Sequence, residues 1–233
     1  MKTLFWTGAV LGSERHGQSA LWRWWNYYRQ HRDALQITHF AALNDGSSNL
    51  PVEWFVKAQN ADQRFEPLME NRLNLIFHRD HLGRRDIHSA PGFWRNLLTA
   101  VRLCQEQEFE RFIICEYDCF LVSPGMLYEV GSTDSGLVCY WCPTYGMPET
   151  AIVICSKDRF NRTYEQAQAV FQKQSCGPAD RFEVAMDWTE IRKGRKGDRY
   201  GETYTPIPAD ADYVCQLATH ASMVPGGTIE ALS

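Results

Sequence analysis

No stretch of the 233 residues approaches the roughly 20 consecutive apolar residues that a membrane-spanning helix needs. Positive charge is not in excess either. There are 24 Lys and Arg against 28 Asp and Glu, a formal net charge of −4, which argues against a general affinity for nucleic acid. The opening run "MKTLFWTGAVLG" lacks the long apolar core and small-residue cleavage site of a signal peptide, so a cytoplasmic protein is expected. The pair Cys139-Tyr-Trp-Cys142 has no second C-x-x-C and no neighbouring His pair, which leaves the zinc signal weak. The eight cysteines read better as reduced, small core residues. Repeats and low-complexity linkers are absent, so residues 1–233 are expected to form a single domain.

Aromatic residues are plentiful: eight Trp, ten Tyr and twelve Phe. They serve cores, and they also stack on bases and sugars. "TLFWTGAVL" reads as a buried strand from Thr3 to about Val10, and Leu21, Trp24, Trp25 and Tyr28 follow at helical spacing. "LQITHFAALNDGSSN" is a second strand closed by the turn Asn44-Asp45-Gly46, and "PVEWFVKAQ" a third short one. "RLNLIFHRDHLG" is a fourth strand, ending near Arg79. In "HSAPGFWRNLLTAVRLCQEQ" Ser89 caps a helix, Pro91 fits its first turn, and Phe93, Trp94, Leu97, Leu98 and Val101 share a face. Arg111 to Val122, "RFIICEYDCFLV", reads as one strand. "SPGMLYEVG" holds a short helix, "GLVCYWCP" and "TAIVICSKD" are strands, and "NRTYEQAQAVFQK" is helical. "PADRFEVAMDWTEIRKG" reads as a further helix, with Asp180 and Glu183 as a capping box. Strands alternating with helices predict a largely parallel α/β sheet. Ligands bind beyond the carboxyl ends of such strands, which gathers Thr7–Gly8, Asp45, His78–Asp80 and Glu116–Asp118 at one edge.

Glu116 and Asp118 stand one residue apart inside an apolar run, where unpaired charge is costly to bury. Read as strand positions i and i+2, they face one way and suit a hard cation, Mn²⁺ or Mg²⁺, bridged to diphosphate oxygens. The plainer reading is a pair of acids making caps or surface ion pairs. Arg79, Arg84, Arg85 and Arg95 have the planar fork that suits phosphate, yet each also fits a solvated surface. The basic loop Lys193–Lys196 suits closure over a diphosphate, contact with an anionic lipid head-group at the inner membrane face, or plain exposure.

Four stretches, in this order and spacing, resemble the GT-A fold of nucleotide-sugar glycosyltransferases, distantly the large inverting families. They are "ITHFAALNDGSS", "LNLIFHRDHLG", "PGFWRNLLTAVRLC" with its A-R-N-like Arg95-Asn96, and "FERFIICEYDCFLVSPGML", whose E-x-D stands where those families carry D-x-D. The resemblance spans roughly residues 3 to 127 and departs from the pattern at Glu116 and in the first loop, "TGAVLGSERHG". It implies a Rossmann-type, mixed but mostly parallel sheet flanked by helices. Residues 1–127 would be the nucleotide-sugar and metal half and 128–233 the acceptor half. It implies that Asp118 binds the metal and that Glu116 contacts the metal or the ribose. Asp45 would lie near the base, Thr7 and Gly8 along the nucleotide pocket, and His220 as a third metal ligand. An inverting enzyme of this kind also needs a general base, for which Asp180, Glu183 and Asp187 are the candidates.

The expected function is metal-dependent transfer of a sugar from a nucleoside-diphosphate donor to a glycan or lipid-linked acceptor. The resemblance places it in surface-polysaccharide synthesis, as a whole enzyme or a module of a larger one. Two alternatives stand beside it. A nucleotidyltransferase acting on sugar phosphates would show a Gly-rich loop after the first strand, which "GAVLGSERHG" partly matches. The other is a non-catalytic GT-A-like domain that binds a glycan or a partner.

Overall fold

The computed structural model describes residues 1–9, 15–46, 57–85, 90–173, 175–200 and 206–215. The first half runs β1 (Thr3–Ala9), α1 (Arg15–Gln30), β2 (His39–Asn44), β3 (Lys57–Asn60), β4 (Leu73–Phe77), α2 (Pro91–Glu106) and β5 (Arg111–Cys115). The second runs β6 (Phe120–Leu121), α3 (Pro124–Ser132), β7 (Leu137–Cys142), β8 (Met147–Ser156), α4 (Phe160–Phe171), α5 (Phe182–Ala185), β9 (Glu190–Arg192), β10 (Gly197–Asp198) and β11 (Tyr213–Val214).

Eight of the described strands form one sheet in the order β3-β4-β2-β1-β5-β8-β7-β9, and β10-β11-β6 form a small second sheet. β3, β4, β2, β1 and β5 are parallel, while β8 runs antiparallel between β5 and β7. β9 is parallel to β7, so only β8 reverses direction in a mixed, mostly parallel sheet flanked by helices. The chain order reverses its sideways growth at β1 and β5, which places a crevice beyond their carboxyl ends.

Burial on both faces explains the strand composition. Leu4 and Trp6 of β1 join a core with Trp94, Leu97 and Val101 of α2, while Phe5 between them joins Trp24 and Tyr28 of α1 on the other side. A strand covered on both faces reads as a continuous apolar run. Each large side chain so buried contributes about 1.5–3 kcal/mol. Arg111 is the exception: fully buried, it donates to Thr3 Oγ1 (3.0 Å), to Leu35 O (2.9 Å) and to the carbonyls of Val130 and Thr133. Burial lowers its pKa to about 10.

Two expected elements differ. The strand expected from Arg111 to Val122 is broken into β5 and β6 by a turn in which Cys119 N donates to Glu116 O at 2.9 Å. Side chains of α1 supply what the missing ladder would have given. Trp24 Nε1 donates to Cys115 O (3.0 Å), Tyr28 Oη to Cys119 O (3.0 Å) and Tyr27 Oη to Leu121 O (2.6 Å). The expected helix from Pro178 is instead a 3₁₀ turn (Pro178–Asp180), the single turn α5 and strand β9. Trp188 Nε1 donates to Glu183 O at 3.0 Å and takes a carbonyl that a longer helix would need. Phe182 packs against Phe93 (4.8 Å), Trp94 (5.4 Å) and Trp188 (5.4 Å), and tertiary contact overrides the helical pattern. Asp180 makes no box with Glu183; its Oδ2 accepts from Gly177 N at 2.8 Å.

The cap expected at Ser89 lies outside the described residues, and α2 begins from Ala90. Among the described residues no helix is long and apolar enough to cross a membrane. All eight cysteines are free, and all but the half-buried Cys176 lie inside.

Candidate active site

A cavity of about 750 Å³ opens beyond the carboxyl ends of the parallel strands. One wall holds Gly8 from the end of β1, Asp45 after β2, Gly83 and Arg84, and the first turns of α2. Its floor is Ile114 of β5 with Glu116, Tyr117 and Asp118 from the acidic turn. The opposite wall comes from the second half: Tyr145, Met147 and Pro148, then Asp180 to Glu183, and Arg199.

The acidic turn is held by α1 from behind and by β8 from the side, where Glu116 N donates to Ala151 O at 3.0 Å. Asp118 is 7% exposed, and its Oδ1 has no hydrogen-bond donor among the described residues. Beneath lies Glu149, fully buried, which accepts from Ala151 N (3.0 Å) and twice from Arg199 (2.8 and 2.9 Å). Burial pushes the Glu116 carboxyl well above the ordinary range, and the charges of Asp118 and Glu149 push it further. Burial raises Asp118 as well; Arg199 and Arg23 oppose the shift and Glu149 adds to it.

The sign of the pH dependence follows. With both pKa values raised, this pair holds more protons folded than unfolded between about pH 4 and neutrality, while the buried His39 and His78, lowered to about 4, act in the opposite sense. In metal-free protein the pair's own contribution to stability should therefore fall as pH rises through that window, and Glu116→Gln should remove part of that fall. Thermal denaturation of parent and variant across the range reads it: the variant's midpoint should gain on the parent's as pH rises, and a constant difference would contradict the raised pKa of Glu116.

Asp45 also lines the cavity, but its carboxylate is already engaged. Leu82 N (3.1 Å) and Gly83 N (2.5 Å) donate to Oδ2, and Arg95 donates to Oδ1 and to Asp80 O. Gly92 leaves room for this clamp, since a Cβ there would overlap the Asp45 carboxylate. Arg95 is thus paired with Asp45 behind the cavity wall. Thr7 is fully buried and does not line the cavity, whereas Gly8 does. Arg79 is exposed and away from the lining. Asp180 lines the cavity with Oδ1 paired to Lys173, and that hydrogen bond, with the one from Gly177 N, lowers its pKa. Glu183 lines it next to Arg181 (3.6 Å). Asp187 is exposed, turned to Arg159 (3.5 Å) and Arg162 (3.6 Å), and does not line the cavity. His220 and the loop 10–14 that bore on the nucleotidyltransferase alternative lie outside the described residues.

Comparison with solved structures comes down on the fold. A structure of an active-site mutant of LgtC superposes with a TM-score of 0.53 over 100% of this chain and 94% of that one, at 11% identity. This chain shares its fold with LgtC. A glycosyltransferase involved in the glycosylation of the major capsid of PBCV-1 matches with a TM-score of 0.49, 8% identity, and coverage of 100% and 97%. No protein-family model and no curated protein sequence matches the chain.

Two contributors went unseen in the sequence, and a third was seen only in part. Glu149 and Arg199 stand in the unremarkable "MPETA" and "GDRYG", 50 residues apart, and nothing local marks them as partners. Asn96 was read only as part of a helix motif; its Nδ2 donates to Leu43 O at 3.1 Å and its buried Oδ1 has no partner among the described residues.

The chemistry of the donor set fits a hard divalent cation. Among the described residues Asp118 offers a buried oxygen with no donor, and the positive charges of Arg199 and Arg23 stand near it. Among the described residues no group of three or more His, Cys, Asp or Glu side chains is placed to hold a metal ion. A cation on Glu116 and Asp118 would complete its shell with substrate oxygens, with water, or from outside those residues.

Proposed function

We propose that the chain is a glycosyltransferase that takes its sugar from a nucleoside diphosphate with the help of Mn²⁺ or Mg²⁺. The observation that carries the reading is the Asp118 carboxylate, with Glu116 beside it, on the floor of a cavity at the carboxyl ends of the strands, one oxygen unpaired. The fold shared with LgtC supports it.

Asp118 and Glu116 would hold the cation, which supplies a positive centre for the diphosphate leaving group. Gly8 and the start of α2 flank the donor side. The second-half wall, with Tyr145, Pro148 and Phe182, offers apolar faces to a sugar or glycan acceptor. If configuration is inverted, an acid must take the acceptor's proton. Glu183 is the best placed: it lines the cavity with Arg181 at 3.6 Å, whereas Asp180 is hydrogen-bonded to Lys173 and Gly177 N, and Asp187, turned to Arg159 and Arg162, does not line it.

Product analysis tests the reaction class. With a panel of nucleotide sugars, Mn²⁺ and a glycan or lipid-linked acceptor mixture, the released product should be nucleoside diphosphate. Release of pyrophosphate from a nucleoside triphosphate and a sugar phosphate would transfer the chain to the nucleotidyltransferase class. No turnover, with no ligand stabilising the fold, would favour a non-catalytic binding domain.

A further inference from the structure

We propose that Cys119 and Cys215 form a cross-strand dithiol that a low-molecular-weight disulfide converts into a disulfide bond, fastening the end of β11 to the turn that carries Asp118. The inference does not depend on the sugar-transfer reading.

Register places the two residues opposite each other. β6 and β11 are antiparallel, with Leu121 facing Tyr213 and Phe120 facing Val214, so the next pair is Cys119 with Cys215. Val122 N donates to Asp212 O at 2.8 Å, marking that pair as a hydrogen-bonded position. Alternation then makes Phe120–Val214 hydrogen-bonded and Cys119–Cys215 not. The neighbouring donors agree: Leu121 N turns to Tyr28 Oη (3.1 Å) and Cys215 N to Asp198 O (3.1 Å). At non-hydrogen-bonded positions Cα atoms approach to about 4.5 Å and side chains are closest. That distance falls inside the roughly 4.4–6.8 Å that a disulfide spans. The two sulfurs already stand 2.8 Å apart.

Cys115 also neighbours Cys119 and is the competitor that the test must exclude. Cys115 Sγ lies against the Cys119 carbonyl oxygen at 3.6 Å and against Tyr28 Oη at 3.1 Å. Cys139 and Cys142 sit three residues apart on β7, roughly 10 Å by the rise of an extended chain, beyond disulfide reach.

The exchange balances. One thiolate attacks the small disulfide and releases one small thiol, and the second cysteine thiolate displaces the other. The protein loses two protons and two electrons, and the oxidant's S–S bond is reduced to two thiols. Both cysteines are fully buried, so the reaction proceeds when β11, a strand of two residues, lifts from β6.

The test uses the full chain, incubated with oxidised glutathione or with dithiothreitol, unfolded, alkylated and mapped by mass spectrometry without reduction. The Cys119 peptide should appear joined to the Cys215 peptide in the oxidised sample alone. The thermal midpoint should rise on oxidation, and Cys215→Ala should abolish both changes. Recovery of both cysteines as alkylated thiols, while the half-buried Cys176 carries glutathione, would overturn the proposal. So would a bridge from Cys119 to Cys115.

Discussion

Asp118→Ala should abolish the divalent-cation-dependent part of nucleotide-sugar binding and slow transfer on the order of 10²–10³-fold, the scale of losing one preorganised electrostatic contact. The effect is large because nothing stands in for it. Asp118 is nearly buried, its Oδ1 has no donor among the described residues, and Glu116 is the neighbouring carboxylate that lines the cavity with it. A ligand at ~100 times its dissociation constant adds about 2.7 kcal/mol to stability, and the variant should lose whatever part of that needs Mn²⁺. Without metal the variant should fold at least as well as the parent, because removing this charge relieves Glu116 of a like-charged neighbour. Thermal shifts with and without Mn²⁺, beside initial rates, separate the two effects. A variant that keeps its Mn²⁺ response would move the cation away from Asp118.

Glu149→Ala should cost about 3–5 kcal/mol of folding stability, as breaking one side of a buried ion pair does. Glu149 is fully enclosed and binds both Nε and Nη2 of Arg199, so its loss removes this pairing from a guanidinium that also lines the cavity. Ala151 N loses its acceptor too. Urea denaturation measures the cost. The double substitution Glu149→Leu with Arg199→Met should recover most of it, because apolar replacement of a whole buried pair is often neutral. A single-variant loss under about 1 kcal/mol would mean that Arg199, which already lines the cavity, is satisfied there without Glu149.

Much of the fold was legible because both faces of the main strands are covered. Runs such as "TLFW" and "RFIIC" have no polar face to confuse the pattern, and α2 carried its own start signal in Pro91. The acidic turn was not legible as a turn. Apolar residues flank it on both sides, and what ends β5 is a set of donors from Trp24, Tyr27 and Tyr28, some 90 residues earlier. The segment after Pro178 misled for a related reason. Its helical spacing is real, yet Phe182 and Trp188 are spent on the Phe93–Trp94 corner of α2.

The candidate site divides in the same way. Acids at strand ends could be read from position alone, which brought Gly8, Asp45, Glu116 and Asp118 to one cavity. Pairing could not be read. Asp45 with Arg95, Asp180 with Lys173 and Glu149 with Arg199 are contacts between elements, and only the folded chain shows which charges are already spent.

Isothermal titration of a nucleoside diphosphate into the full chain, with and without Mn²⁺, bears most directly on the carboxylate pair. Binding should be at least tenfold tighter with Mn²⁺ in the parent, a gain of about 1.4 kcal/mol, and should lose that gain in Asp118→Ala. Equal affinity with and without the cation, or an unchanged gain in the variant, would contradict a metal–diphosphate role for Glu116 and Asp118.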